Sequence, residues 1–198
     1  MRNPVTPVFF SARALLSARA LMSAGALSLA GAPAMAQMSV TTIGATDARL
    51  CYEAAQDPLT TSTLECDQAL KRGNLSVRDE LATHVNRGVL LNRSGRVGEA
   101  IDEFDYALER NETLAEAYLN RGNSYYFLKR YDEAIADYDA ALKYELTKAH
   151  IAWYNIGLAY EAKKDTLKAK DAYRTSLSIQ SDFAPAQKKI GGGEADQD

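Results

Sequence analysis

The sequence predicts an all-α fold, an α–α superhelix of tandem antiparallel helical hairpins, with three clear repeats and a degenerate one before them. Three observations predict it. Leu81-Ala-Thr-His-Val-Asn-Arg-Gly88 aligns with Ala115-Glu-Ala-Tyr-Leu-Asn-Arg-Gly122 and His150-Ile-Ala-Trp-Tyr-Asn-Ile-Gly157, the glycines falling 34 and then 35 residues apart. Glu99-Ala-Ile-Asp-Glu-Phe-Asp-Tyr-Ala-Leu108 returns as Glu133-Ala-Ile-Ala-Asp-Tyr-Asp-Ala-Ala-Leu142 and as Lys168-Ala-Lys-Asp-Ala-Tyr-Arg-Thr-Ser-Leu177 in the same register. Within each copy the apolar residues recur at threes and fours, the period of a helix with one buried face.

The middle copy shows the elements best. Tyr118, Leu119, Gly122, Tyr125 and Tyr126 mark the inner stripe of a first helix, and Ala134, Ile135, Tyr138, Ala141 and Leu142 that of a second. Between them Lys129-Arg-Tyr-Asp132 supplies the turn, with Asp132 read as the cap of the second helix. Two helices of one hairpin approach closely only where one lacks a bulky side chain. Gly122 is therefore expected to face Ala134, with the aromatic residue of the second helix (Phe104, Tyr138 or Tyr173) filling the space beside them.

Residues 47–80 read as a degenerate extra copy, with helices over 47–56 and 62–71 about a turn near Asp57-Pro58. Cys51 and Cys66, the two cysteines of the chain, lie at comparable distances from that turn, so a disulfide between them is expected. Phe183 to Ile190 is read as a short polar cap over the last apolar face, and residues 191–198 as a disordered tail.

The N-terminus reads as a targeting segment. Met1 to Thr46 has no acidic residue, carries Arg2, Arg13 and Arg19, and then runs apolar from Leu21 to Ala30. Ala34-Met35-Ala36 follows, the small-x-small pattern of a signal-peptidase site, so residues 1–36 are expected to be a signal peptide and 37–46 a linker. The apolar stretch is shorter than the roughly 20 residues that span a bilayer, and Gln37 rather than Cys follows the expected cut, so no retained membrane span or acyl anchor is expected. The expected location is periplasmic or secreted; the alternative is a mitochondrial transit peptide. Removing these residues leaves 20 basic against 26 acidic ones, a net charge of −6, which argues against nucleic acid as a partner.

The period of 34 with Tyr or Trp at position 4, Gly at 8, Tyr at 11, Ala at 20, an aromatic at 24 and Ala at 27 resembles the tetratricopeptide repeat, best over 115–148 and well over 81–181. Repeats are expected at about 47–80, 81–114, 115–148 and 150–183, inside a domain covering 47–190. The chain departs from the pattern at His84, which replaces the position-4 aromatic, at Leu91, which replaces the position-11 tyrosine, and in lacking the proline at position 32.

The resemblance implies that the first helices line a concave groove that binds a peptide. Carried over position by position, the expected peptide-binding residues are Val85, Asn86, Val89 and Asn92, then Leu119, Asn120, Asn123 and Tyr126, then Tyr154, Asn155 and Leu158, with Glu161 beside them. Asn86, Asn120 and Asn155 share one position. An amide can donate to a carbonyl and accept from an N–H of the same extended backbone. The other reading of these asparagines, bonds to neighbouring helices, stays open. Val85, Leu119 and Tyr154 stand where family members that clamp a terminal carboxylate carry lysine, so such a clamp is not expected.

No catalytic constellation is legible, no metal or cofactor is expected, and His84 and His150 are read as structural or surface residues. Arg87 and Arg121, with acids at Glu103, Asp105, Asp137 and Asp139, suit either ion pairs or a basic contact for an acidic peptide. The expected function is a non-catalytic interaction scaffold or adaptor holding a partner polypeptide. The alternatives are a self-associating structural module of the cell envelope, a homo-oligomer, and a mitochondrially targeted adaptor of the same fold.

Overall fold

The computed structural model describes Met38 and residues 46–191. The expected signal peptide, the linker apart from Met38 and Thr46, and residues 192–198 of the expected tail lie outside the described residues.

Among the described residues nine helices follow one another: α1 (Thr46–Gln56), α2 (Leu64–Arg72), α3 (Val77–Arg93), α4 (Val97–Arg110), α5 (Ala115–Phe127), α6 (Tyr131–Lys143), α7 (Ala149–Ala162), α8 (Thr166–Ile179) and α9 (Ala184–Gly191). They pair as hairpins α1/α2, α3/α4, α5/α6 and α7/α8; α4 then packs on α5, α6 on α7, and α9 covers α8. This is the expected all-α solenoid of hairpins.

The three clear hairpins are drawn together at one kind of contact. A Cβ built on Gly88 would lie 2.5 Å from the Phe104 ring, one on Gly122 2.6 Å from Tyr138, and one on Gly157 2.4 Å from Tyr173. No methyl group fits at those distances, so each glycine is the floor on which the ring of the second helix rests. Phe104 and Tyr138 are wholly buried, and Ala100, Ala134 and Ala169 keep the second helix equally slim where it crosses. The ring therefore sits on the glycine itself, closer than the expected place beside Gly122 and Ala134.

Each hairpin turn closes in the same way. The N–H groups of Gly95 and Arg96 donate to the carbonyls of Asn92 and Leu91. The pattern recurs from Lys129 and Arg130 to Tyr126 and Tyr125, and from Lys164 and Asp165 to Glu161 and Tyr160. It is a paired C-terminal cap whose pivot takes the left-handed conformation: Gly95 at φ 80°, Lys129 at φ 61° and Lys164 at φ 64°. Because the chain reverses at Lys129, α6 begins at Tyr131 with Arg130 before it and no side-chain cap. Asp132 is thus not the cap the sequence suggested; it lies in the first turn and pairs with Lys163.

The degenerate first hairpin is held differently. Cys51 and Cys66 are joined in a disulfide and fully buried against Ala55 and Leu90. Closing a loop of 15 residues is worth about 3 kcal/mol in the chain-entropy model. Arg93 donates to the carbonyls of Ala55 and Asp57 at 2.7 and 2.8 Å, tying the end of α1 to α3. The four extra residues after this hairpin hold a stop and a start. Gly73, at φ 68°, ends α2, and the Ser76 hydroxyl accepts from the N–H of Asp79, so α3 begins at Val77, four residues before the repeat boundary expected at Leu81.

Salt bridges join successive hairpins. Arg87 reaches Asp67 of α2 at 2.6 Å and Glu103 of α4 at 2.5 Å; Arg121 reaches Asp105 of α4 at 2.6 Å and grips Asp137 of α6 through two nitrogens at 2.8 Å. Each arginine thereby links the second helix of its own repeat to that of the repeat before. The bonds to Asp137 hold the Arg121 guanidinium firmly charged, and burial pushes the Asp137 carboxyl up against that pull. The third copy has Ile156 at this position and no such clip.

Two outcomes are expected. Gly122→Ala should lower stability by about 1–3 kcal/mol, because the Tyr138 ring beneath it is held by its own hydroxyl bond and cannot step aside. Gly98→Ala, where a Cβ meets nothing within 4 Å, should instead raise it by about 0.5–1 kcal/mol. Thermal melts of the two variants should shift in opposite directions.

Alkaline pH should also unfold the domain. Burial raises the phenols of Tyr126, Tyr138, Tyr154 and Tyr173 above the ordinary tyrosine value, Tyr126 to about 12. A raised value means that the folded chain keeps protons the unfolded chain has lost. The contribution is complete below about pH 10, where free tyrosine titrates, and is lost as pH rises through the folded values. Melting temperature measured from pH 9 to about 12 should fall, and less steeply for Tyr126→Phe.

Candidate peptide groove

The first helices α3, α5 and α7 carry the expected groove residues, and all eleven are buried. Val85, Asn86, Val89, Leu119, Asn120, Asn123 and Asn155 are fully enclosed; Asn92, Tyr126, Tyr154 and Leu158 keep less than a tenth of their surface. Tyr154 is wedged edge-on against Phe183 and tilted against Tyr173, and Tyr126 meets Tyr131 edge-on.

The amides divide into two groups. Asn92 and Ser124 exchange bonds at 2.8 and 3.1 Å, and Asn123 Oδ1 accepts both from Asn155 Nδ2 at 2.9 Å and from the Tyr138 hydroxyl at 3.0 Å. Asn92 with Ser124 and Asn123 with Asn155 bridge one hairpin to the next, and Tyr138 bonds Asn123 within its own hairpin, inside an apolar stack where an unmet amide would be costly.

Asn120 does something else. Its Nδ2 donates to the carbonyl of Met38 at 2.5 Å and to that of Glu116 at 2.9 Å, while its Oδ1 accepts from the N–H of Met38 at 3.2 Å. One amide thus meets both polar groups of a single backbone residue 82 positions away. The bond to Glu116, one turn back in α5, holds the amide in the orientation this needs.

Met38 lies over an open cavity of about 910 Å³ whose walls include Leu81 and Ala82 of α3, Glu116 of α5, Leu114 and Lys148. Ala82 and Glu116 stand four residues before Asn86 and Asn120, hence on the same helical faces. That spacing could have found them in the sequence; nothing there pointed to Met38. Arg78, Arg110 and Lys148 bring positive charge to the rim against the one carboxylate of Glu116. Arg110 is stacked at 3.4 Å on Tyr106.

The other polar residues singled out in the sequence are used internally. Arg87 and Arg121 are taken up in the clips between hairpins. His84 bonds Glu103 at 2.7 Å and stacks on Tyr106, and His150 is packed edge-on against Phe183 while its carbonyl accepts from Ser176. Among the described residues no group of three or more His, Cys, Asp or Glu side chains converges, and no helix is long and apolar enough to cross a membrane.

Comparison with known proteins agrees with this geometry. Residues 119–185 match the family model described as Tetratricopeptide repeat. Human DnaJ homolog subfamily C member 7 is 28% identical over 124 residues, covering 54% of this chain and 24% of the relative, so the chain spans about a quarter of that protein. The crystal structure of MamA superposes with a TM-score of 0.55 at 26% identity, over 65% of this chain and 72% of that one. The first TPR domain of Spaghetti (RPAP3), solved bound to the HSP90 peptide SRMEEVD, shares the fold with a TM-score of 0.53 at 20% identity, over 57% and 88% of the two chains. With a glycine under an aromatic ring in three successive hairpins, and with this family match across the last two, residues 119–185 carry tetratricopeptide repeats and the described hairpins share that fold.

Proposed function

We propose that this protein is a non-catalytic adaptor that holds an extended segment of a partner polypeptide along the first helices, outside the cytoplasm. The observation that carries the reading is the grip of Asn120 on both the N–H and the C=O of Met38. That arrangement reads backbone rather than side chain, so it suits sequence-tolerant holding of a strand. Leu81, Ala82 and Leu114 offer apolar wall beside it. The fold supports the reading in kind, since the similar RPAP3 domain holds a peptide. The compartment rests on the basic, then apolar, then small-residue order of residues 1–36 and on a buried disulfide, a bond that persists in oxidising surroundings.

Asn120→Ala should weaken binding of labelled chain to an array of extended peptides by about 1–3 kcal/mol, with little change in melting temperature, because the partners of this amide lie in its own helix and at Met38. Asn123→Ala should do the reverse. It removes the acceptor of Tyr138 and Asn155 and should cost about 1–3 kcal/mol of stability. A lowered melting temperature with unchanged peptide binding for Asn120→Ala would remove the reading. The compartment is tested separately: N-terminal sequencing of protein from its native source should begin at or near Gln37, and a retained Met1 in a cytosolic fraction would refute export.

A further inference from the structure

We infer that the Cys51–Cys66 disulfide is a redox lock on the groove: once reduced, it releases the hairpin α1/α2 and with it one wall of the cavity, while α3 to α8 stay folded; this rests on the proposed peptide-holding role. The first hairpin is the part of the solenoid with the least to hold it. Among the described residues its buried side chains are Ala48, Cys51, Ala55, Cys66 and Ala69, none larger than cysteine, whereas Leu50, Leu59 and Leu64 face water. Each later hairpin buries an aromatic ring instead, Phe104, Tyr138 or Tyr173. Burial stabilises in proportion to the apolar area removed from water, so these alanines contribute little. With 11 and 9 residues, α1 and α2 are also too short to persist as helices on their own.

The other ties are polar. The pairs Arg72 with Asp47 and Arg87 with Asp67 reach water and add little, and Arg93 holds the end of α1 through two carbonyls. The covalent bond is the main restraint, and it sits where release would matter. Cys51 Sγ lies 3.8 Å from the carbonyl oxygen of Thr83, and Cys51 and Cys66 pack with Ala55 on Leu90, so the bridge presses both helices onto α3. The next residue, Tyr52, and Gln56 one turn on line the cavity together with Arg78, Leu81 and Ala82 of α3. A hairpin that leaves α3 takes Tyr52 and Gln56 with it.

The reductant is a protein dithiol. One of its thiolates attacks a bridge sulfur, the S–S bond breaks as a mixed disulfide forms, and the second thiol resolves it. The dithiol leaves as a disulfide, and its two electrons and two protons pass to Cys51 and Cys66, which become thiols. Both cysteines are fully buried, so attack requires the hairpin to open first. Its weak noncovalent hold permits that opening. With the bond gone, the open state gains about a hundred-fold in population, the chain-entropy weight of a loop of 15 residues.

The test compares the full-length chain, oxidised and after dithiothreitol, with its Cys51→Ala/Cys66→Ala variant. Two free thiols per chain, counted by alkylation and mass, establish reduction. Amide hydrogen exchange across α1 and α2 should then quicken by about a hundred-fold, while exchange across α3 to α8 stays as it was. The array peptide that the oxidised chain binds most tightly should bind the reduced chain and the variant at least about ten-fold more weakly, and by linkage should slow exchange in α1 and α2 by the same factor. Dithiothreitol should change nothing in the variant. A bridge that resists dithiothreitol in the folded chain, a reduced hairpin that exchanges as slowly as the oxidised one, or a loss of protection that spreads through α3 to α8 would each overturn the inference. So would a released hairpin with unchanged peptide affinity. If it fails in any of these ways while Asn120→Ala still weakens peptide binding by the oxidised chain, the adaptor reading stands alone; if no array peptide binds the oxidised chain, both fall.

Discussion

Three backbones stripped of side chains, at Gly88, Gly122 and Gly157, each support an aromatic ring from the opposite helix, and the spacing of the hairpins depends on that contact. With the glycine Cα as floor, the two helices of a repeat come together more closely than a methyl group would allow. The ring then fills the crevice that remains, and Phe104 and Tyr138 lose all contact with water. Small residues at Ala100, Ala134 and Ala169 hold the crossing tight from the other side. Every later feature, from the clips between hairpins to the groove along the first helices, inherits its geometry from this crossing.

Close packing of helices leaves little water to satisfy polar groups, so those groups must find one another. The chain solves this at two depths. Near the surface Arg87 and Arg121 each span two second helices, and the deeper of their partners, Asp137, tolerates burial because two guanidinium nitrogens face it. Deeper still, Asn92 with Ser124 and Asn123 with Asn155 pass hydrogen bonds from one hairpin to the next, and Tyr138 bonds Asn123 inside its own hairpin. An asparagine position that recurs with the repeat therefore does not have one job. Asn155, at the recurring position, donates to Asn123 of the hairpin before, whereas Asn120, one turn from Glu116, points at the backbone of Met38.

The first hairpin lacks the glycine-on-ring contact and compensates by covalent and local means. The Cys51–Cys66 bridge closes it, Arg93 ties its first helix to α3, and Arg72 pairs with Asp47 across its open end. Its loss of repeat character and its disulfide belong together: with less ring and glycine packing available, a crosslink restrains the unfolded chain instead. At the other end α9 is short, and Phe183 before it covers Tyr154 and His150.

The sequence by itself determined the fold class, the number and phase of the clear repeats, the helices of the degenerate copy and the pairing of the two cysteines. Each of these follows from local periodicity or from the size of a side chain, and such signals survive in one dimension. It did not determine where α6 starts, because Asp132 looks like a cap until the left-handed turn at Lys129 moves the helix start to Tyr131. Nor did it reveal that α3 begins at Val77, since the cap at Ser76 lies outside the repeat pattern. The division of labour among the asparagines was decided only in three dimensions. Asn120 and Asn155 occupy the same repeat position, yet one meets Met38 and the other meets Asn123, because a hydrogen bond depends on which group lies within about 3 Å and not on register. Met38 carries no motif at all, and its contact with Asn120, 82 positions away, is visible only once the chain is folded.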